Sequence, residues 1–287
     1  MNHRCRLAAL FLCLFVFLPV AYGQGHCNMN TITGTYAFNF TGSSTIVSGP
    51  APDGLHWNAL YAPIGGVGWL TVNPDGSANG ILWMIAGTLN LGLDPAPWQA
   101  TLTVNDDCTG VIEYYFGPYL LSERFVVLDN GREIRSVVMQ TGVPTGTWLS
   151  TFRRIGGSCG QNKVHGFYLF ECKTLHQFPV APPNIFAGAF LMRWVISPGG
   201  DYTGTLFGKV GPVPGEFPVA GNITVHNDCT AEGTLTSPVM PGVNHGRGVF
   251  FDEGKRAYFL PLVNNPGEPG ETPQLYGYCE ITRIDRN

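Results

Sequence analysis

Val104-Asn105-Asp106-Asp107-Cys108-Thr109-Gly110 returns as Val225-His226-Asn227-Asp228-Cys229-Thr230-Ala231, and the flanking segments return in the same order. Gly34-Thr35-Tyr36-Ala37-Phe38 answers to Gly166-Phe167-Tyr168-Leu169-Phe170, and Leu128-Asp129-Asn130-Gly131-Arg132-Glu133 answers to Phe251-Asp252-Glu253-Gly254-Lys255-Arg256. The chain therefore contains one unit twice. A period of this length far exceeds that of a solenoid or propeller repeat, so each copy is expected to be a domain with its own core.

Composition supplies the fold class. Charged residues make up 13%, glycine accounts for 38 of 287 positions, and apolar residues nowhere recur at helical spacing over three turns. Copy one offers eight strand-like segments near 34–40, 67–73, 79–87, 98–105, 109–116, 123–129, 132–139 and 147–155, separated by turns such as Asn73-Pro74-Asp75-Gly76. Copy two offers their counterparts near 166–172, 188–197, 202–209, 219–227, 230–236, 246–252, 255–262 and 276–284. Eight sequential antiparallel strands close most economically as an up-and-down barrel, which removes both sheet edges. The expectation is an all-β chain of two tandem, lipocalin-like eight-stranded barrels, at 24–156 and 157–287, after a signal peptide at 1–23.

That signal is read from the basic Asn2-His3-Arg4-Cys5-Arg6, the apolar Leu7 to Val20 and the small residues of Ala21-Tyr22-Gly23. It implies secretion or residence in the secretory-pathway lumen. Its removal takes Arg4 and Arg6 and moves the formal charge from −4 to −6, leaving no basic stripe for nucleic acid. No later stretch reaches the roughly 20 apolar residues of a membrane span. Six cysteines remain. Cys27 and Cys159 each precede a first strand while Cys108 and Cys229 share the Asp-Cys-Thr motif, which pairs Cys27 with Cys108 and Cys159 with Cys229. Cys172 and Cys279, on the first and last strands of copy two, become neighbours if that sheet closes.

Asn39-Phe40-Thr41 and Asn222-Ile223-Thr224 are glycosylation sequons. Outward Asn39 and Asn222 send Tyr36, Phe38, Phe40, Ile223 and Val225 inward by alternation, put Cys172 inside, and turn Glu171 and His226 to solvent. Catalytic motifs are otherwise missing. Gly156-Gly157-Ser158-Cys159-Gly160 matches a nucleophile elbow in letters only, since it lies in a linker rather than a strand-to-helix turn. The histidines and cysteines show no zinc spacing, and 74–76 and 105–107 read as hairpin turns rather than calcium loops. No metal is expected.

Aromatic residues carry the positive signal. An eight-stranded barrel either fills itself or holds one small ligand, and Trp57, Tyr61, Trp69, Trp83 and Trp194 are candidate ligand-binding residues. Arg193 alternates with apolar neighbours in Leu191-Met192-Arg193-Trp194-Val195-Ile196. It either faces the lumen, where it would need an oxyanion or a buried partner, or faces solvent opposite an inward Trp194. Gly68 is read as its counterpart in copy one. The long connections Thr41 to Ile64 and Lys173 to Ile185 place His56, Trp57, Tyr61, His176 and Phe178 as candidates for a lid over the mouth.

Tandem barrels, a secretory signal and paired Asp-Cys-Thr motifs together resemble the secreted fungal hetero-Diels-Alderases of tropolone sesquiterpenoid pathways. More broadly the copies resemble lipocalins and allene oxide cyclase-type barrels, although the lipocalin Gly-x-Trp reads Gly34-Thr35-Tyr36 here. The resemblance implies a cofactor-free pericyclase that joins a polyketide-derived enone or quinone methide to a terpene alkene. Such chemistry needs two polyenes held in contact and one donor on the electron-poor partner, with Arg193, Tyr115 and Tyr258 as candidate donors. The alternatives are a secreted carrier of a small hydrophobic molecule and an interaction module with both barrels filled. The sequence is compatible with a homodimer as well as with a monomer.

Overall fold

A computed structural model describes residues 26–50, 57–86, 89–90, 95–116, 119–138, 146–178, 184–210, 213–238, 240–262 and 274–284. The signal segment lies outside them. After a one-turn helix, Met29–Ile32, the first copy runs through β1 (Gly34–Pro50), β2 (Trp57–Val72), β3 (Ser77–Ala86), a two-residue stub β4 (Leu89–Asn90), β5 (Ala96–Val104), β6 (Thr109–Phe116), β7 (Tyr119–Leu128), β8 (Glu133–Val138) and β9 (Gly146–Arg154). Each long strand pairs antiparallel with its sequence neighbour, and β1 with β9 closes the ring of eight. The second copy repeats this with β10 (Gly166–Phe178), β11 (Asn184–Ile196), β12 (Asp201–Val210), β13 (Val213–Val225), β14 (Thr230–Ser237), β15 (Met240–Phe251), β16 (Arg256–Leu262) and β17 (Gln274–Arg283), closed by β10 with β17.

The repeated motif is a stapled turn. Asp107 Oδ1 accepts from the Thr109 amide at 3.0 Å and from its hydroxyl at 2.6 Å, and Asp228 does the same for Thr230 at 3.0 and 2.7 Å. The intervening cysteine is forced into left-handed backbone, φ 65° at Cys108 and 70° at Cys229, from where it reaches Cys27 or Cys159. A second lock also repeats. The Tyr36 hydroxyl donates to the Gly131 carbonyl at 2.7 Å and that of Tyr168 to the Gly254 carbonyl at 2.9 Å. Gly131 and Gly254 have φ of 79° and 82°, which glycine adopts without strain. Arg154 ties the first lock, donating to Tyr36 Oη at 2.8 Å. The third bridge, Cys172–Cys279, joins directly paired residues across the β10–β17 seam.

Side-chain parity follows the expectation. Tyr36, Phe38, Phe40, Cys172, Ile223 and Val225 are buried in their barrels, and Glu171 and His226 are exposed. Three readings are corrected. Asn39 does face out of its barrel, yet it is only 2% exposed: the outer faces of β1, β2 and β3 pack on β15, β16 and β17 of the second barrel, so a glycan there has no room. Val67, Trp83 and Ile85 accordingly belong to the core that the second barrel builds. The long connections are mostly strand, because β1 and β2 stay paired out to Pro50 and Trp57, and β10 and β11 out to Phe178 and Asn184. Trp57, Tyr61, His176 and Phe178 are thus hairpin residues rather than loop residues, and His56 lies outside the described residues. Finally, Leu169 pairs with Arg193 while its counterpart Ala37 pairs with Trp69, so Trp69 rather than Gly68 matches Arg193.

Candidate functional site

The structure disperses the expected donors. Arg193 is exposed on the outer face of β11 between exposed Leu191 and Val195, its guanidinium 5.6 Å from the Phe167 ring centre. Tyr115 is 70% exposed, pointing out of the first barrel. Tyr258 is buried but pairs with Val249 on the outer face of the second barrel, against Arg153 of the first. Burial, then the neighbouring Glu280 carboxylate, hold its phenol far above the ordinary range despite the hydrogen bond from Arg153. Trp69 and Trp83 pack into the same inter-barrel contact. Trp57 and Tyr61 lie at the far end of β2, where only their backbone is described. Among the candidates whose side chains are described, Trp194 alone lies in a lumen: its ring stacks between Tyr202, 4.1 Å away, and Phe170, 4.4 Å away. Asn222 sits on the outer face of β13, half-exposed, with its amide donating to Asp201 at 3.0 Å.

Sequence reasoning missed Glu123. It is 2% exposed inside the first barrel, and its carboxylate accepts from the Tyr114 hydroxyl at 2.7 Å, Trp148 Nε1 at 3.0 Å, the Ser150 hydroxyl at 3.2 Å and the Ser136 hydroxyl. Four neutral donors saturate the lone pairs of a carboxylate. Burial, followed by the Glu123 charge, pushes the Tyr114 phenol well above its usual value. The signal was present in the alternation: Glu123 shares parity with Leu121, Phe125 and Val127, all of which are buried. Phe38, Trp98 and Phe152 complete this lumen in ring-to-ring contact, with centroids 4.7 and 5.4 Å from Phe38.

Residue-by-residue matching of the copies shows that the second lumen has lost the whole network. Glu123, Tyr114, Ser136, Trp148 and Ser150 correspond to Gly246, Leu235, Phe259, Gly277 and Cys279. Ile112 and Phe125 likewise become Gly233 and Gly248. Four glycines replace four large side chains, and the Phe259 ring takes back part of the space by lying over Gly246 and Gly248. What remains is a cavity of about 60 Å³ walled by Phe170, Phe190, Met192, Trp194, Leu206 and Phe259. Tyr202 closes one side and gives its hydroxyl to the Thr234 carbonyl at 2.6 Å; burial raises its phenol pKa well above the ordinary range. An apolar space of this kind excludes water and favours apolar occupants.

Among the described residues no cluster of histidine, cysteine or acidic side chains is arranged to hold a metal, and no helix is long and apolar enough to cross a membrane. No family model matches the chain, and no curated protein is similar to it. Among solved structures, intact Ap-TbpB with its N and C lobes is 8% identical, covering 87% of this chain and 76% of that one at a TM-score of 0.30. A putative AttH from Nitrosomonas europaea is also 8% identical, covering 92% and 96% at a TM-score of 0.25.

Proposed function

We propose that this chain is a secretory-pathway protein that binds one compact, largely apolar molecule in the lumen of its second barrel. The observation that carries the reading is the replacement of large inward side chains by glycine, of which Gly233 and Gly246 line the apolar cavity that results, in a fold otherwise held fast by three disulfides. The signal-like start and the bridges support an oxidising compartment. Xenon is a fitting probe, since dry apolar cavities take it up. Saturable xenon binding by nuclear resonance on the wild type, lost in Leu206→Trp, is expected; an unaltered xenon signal in that variant sinks the reading.

The pericyclase reading stands second. Its favourable observation is Trp194 Nε1, a buried N–H on a cavity-lining residue with no hydrogen-bond partner, which is the kind of donor an enone carbonyl needs. It replaces Arg193, Tyr115 and Tyr258 in that role. The cavity size ranks it lower, because two polyketide- and terpene-sized reactants need several hundred Å³. Incubating an enone and a terpene alkene with the protein tests it: cycloaddition no faster and no more stereoselective than in buffer removes it.

A further inference from the structure

β15 carries Asn244-His245-Gly246-Arg247-Gly248, whose even members face the second lumen. In the first barrel the counterpart of Asn244 is Leu121, a plain core residue. An amide has therefore replaced a hydrocarbon on a cavity wall, and Asn244 is only 7% exposed. Its Nδ2 donates to the Leu235 carbonyl at 3.4 Å. A carbonyl can only accept, which fixes the amide's orientation and leaves Oδ1 as the end without a partner. Buried acceptors are almost always matched, and one left unmatched calls for a missing donor.

Water fills that role poorly. A buried water takes two to four polar partners, and among the described residues the other unmatched atom lining this cavity is Trp194 Nε1. β11 and β15 lie four strands apart in a ring of eight, so the two atoms belong to opposite walls, and a ligand hydroxyl on an apolar stem meets Asn244 without having to bridge them. The remaining unmatched indoles, Trp69, Trp83 and Trp98, do not line the cavity. We infer that the second lumen recognises an alcohol, an apolar stem with one hydroxyl whose O–H donates to Asn244 Oδ1. This rests on the reading of that lumen as a binding site. The stem lies against Phe190, Met192 and Leu206. A compact alcohol and the end of a longer primary alcohol share this chemistry.

The test is calorimetric titration of the wild type and Asn244→Leu with 1-butanol and methyl propyl ether, isomers of equal size of which only the alcohol donates. Leucine is what the first barrel already carries at this place, so the variant retains the fold. The preference for alcohol over ether is expected to drop about tenfold in Asn244→Leu, the worth of one hydrogen bond of roughly 1.4 kcal/mol. An unchanged preference overturns the inference, and so does failure of both probes to bind a wild type that takes up xenon; if xenon also fails, the binding reading falls with it. Extending the series to 1-octanol separates the sources. Affinity levelling off at butanol assigns a compact alcohol, and a rise of about fourfold per methylene assigns a long chain.

Discussion

A Cβ placed on Gly246 would stand 1.9 Å from Cε1 of Phe259. The two residues replace Glu123 and Ser136 of the first barrel, where a carboxylate and a hydroxyl meet instead. Phe259 packs edge-on to Phe170 at 5.8 Å, so its ring cannot retreat without disturbing the aromatic stack. Gly246→Ala should therefore destabilise the second barrel by about 1–3 kcal/mol, the usual range for overpacking a core. Urea unfolding measures it, and a neutral substitution would mean that the Phe259 ring is free to move.

In the first barrel the corresponding stake is electrostatic. Tyr114→Phe removes one of the four donors to Glu123 and leaves a buried carboxylate less well solvated. A loss of about 1.5–3 kcal/mol is expected, as for hydrogen bonds to charged groups. Tyr115→Phe, on the exposed neighbour, should be neutral by the same denaturation experiment.

Alkaline pH should act through the buried phenols. Tyr36, Tyr114, Tyr202, Tyr258 and Tyr278 all have raised pKa values, with burial the leading cause in each. A raised folded-state value means that the unfolded chain loses its phenol protons first. Stability is therefore fully present below about pH 10 and falls as pH rises towards the folded-state values. Urea midpoints between pH 8 and 11, with phenolate absorbance followed in parallel, check the sign. Phenolate appearing at these tyrosines before unfolding would contradict it.

The fold was legible because its determinants are local and repeated. Asp-Cys-Thr encodes a turn, an oxidised cysteine and a strand start in three residues, and finding it twice set both barrels and two of the three bridges. The site was less legible because alternation tells inside from outside of a strand, while the contact between barrels makes an outside as dry as a core. Asn39, Trp69, Trp83 and Tyr258 fall into that gap. Glu123 and Asn244 were readable by parity alone, each a polar residue in step with inward neighbours. What parity could not give was the partner of either, since that is set by cross-strand register: Glu123 accepts from Tyr114 on the preceding strand and from Ser150 two strands on, and Asn244 reaches the Leu235 carbonyl on the preceding strand.

The buried inter-barrel face makes Trp83 a test of coupling. Its ring is 4% exposed and lies in a core formed mainly by the second barrel, although its strand belongs to the first. Trp83→Ala should cost about 3–5 kcal/mol and allow the barrels to unfold separately. Calorimetry is expected to show one transition for the wild type and two for the variant; a single transition in both would mean that the barrels are coupled by other contacts.

The same face predicts which of the two sequons is open to glycosylation. Asn39 is enclosed between the barrels and Asn222 stands on an open outer face. A chain glycosylated at Asn39 during synthesis could not dock its two halves, because a glycan needs water around it and β1 there packs on β15 to β17. Protein recovered from a secreting host should lose one glycan's mass in Asn222→Gln and none in Asn39→Gln, read by intact-mass spectrometry before and after deglycosylation. A glycan on Asn39 in folded, monodisperse protein would show that the two barrels do not meet along this face.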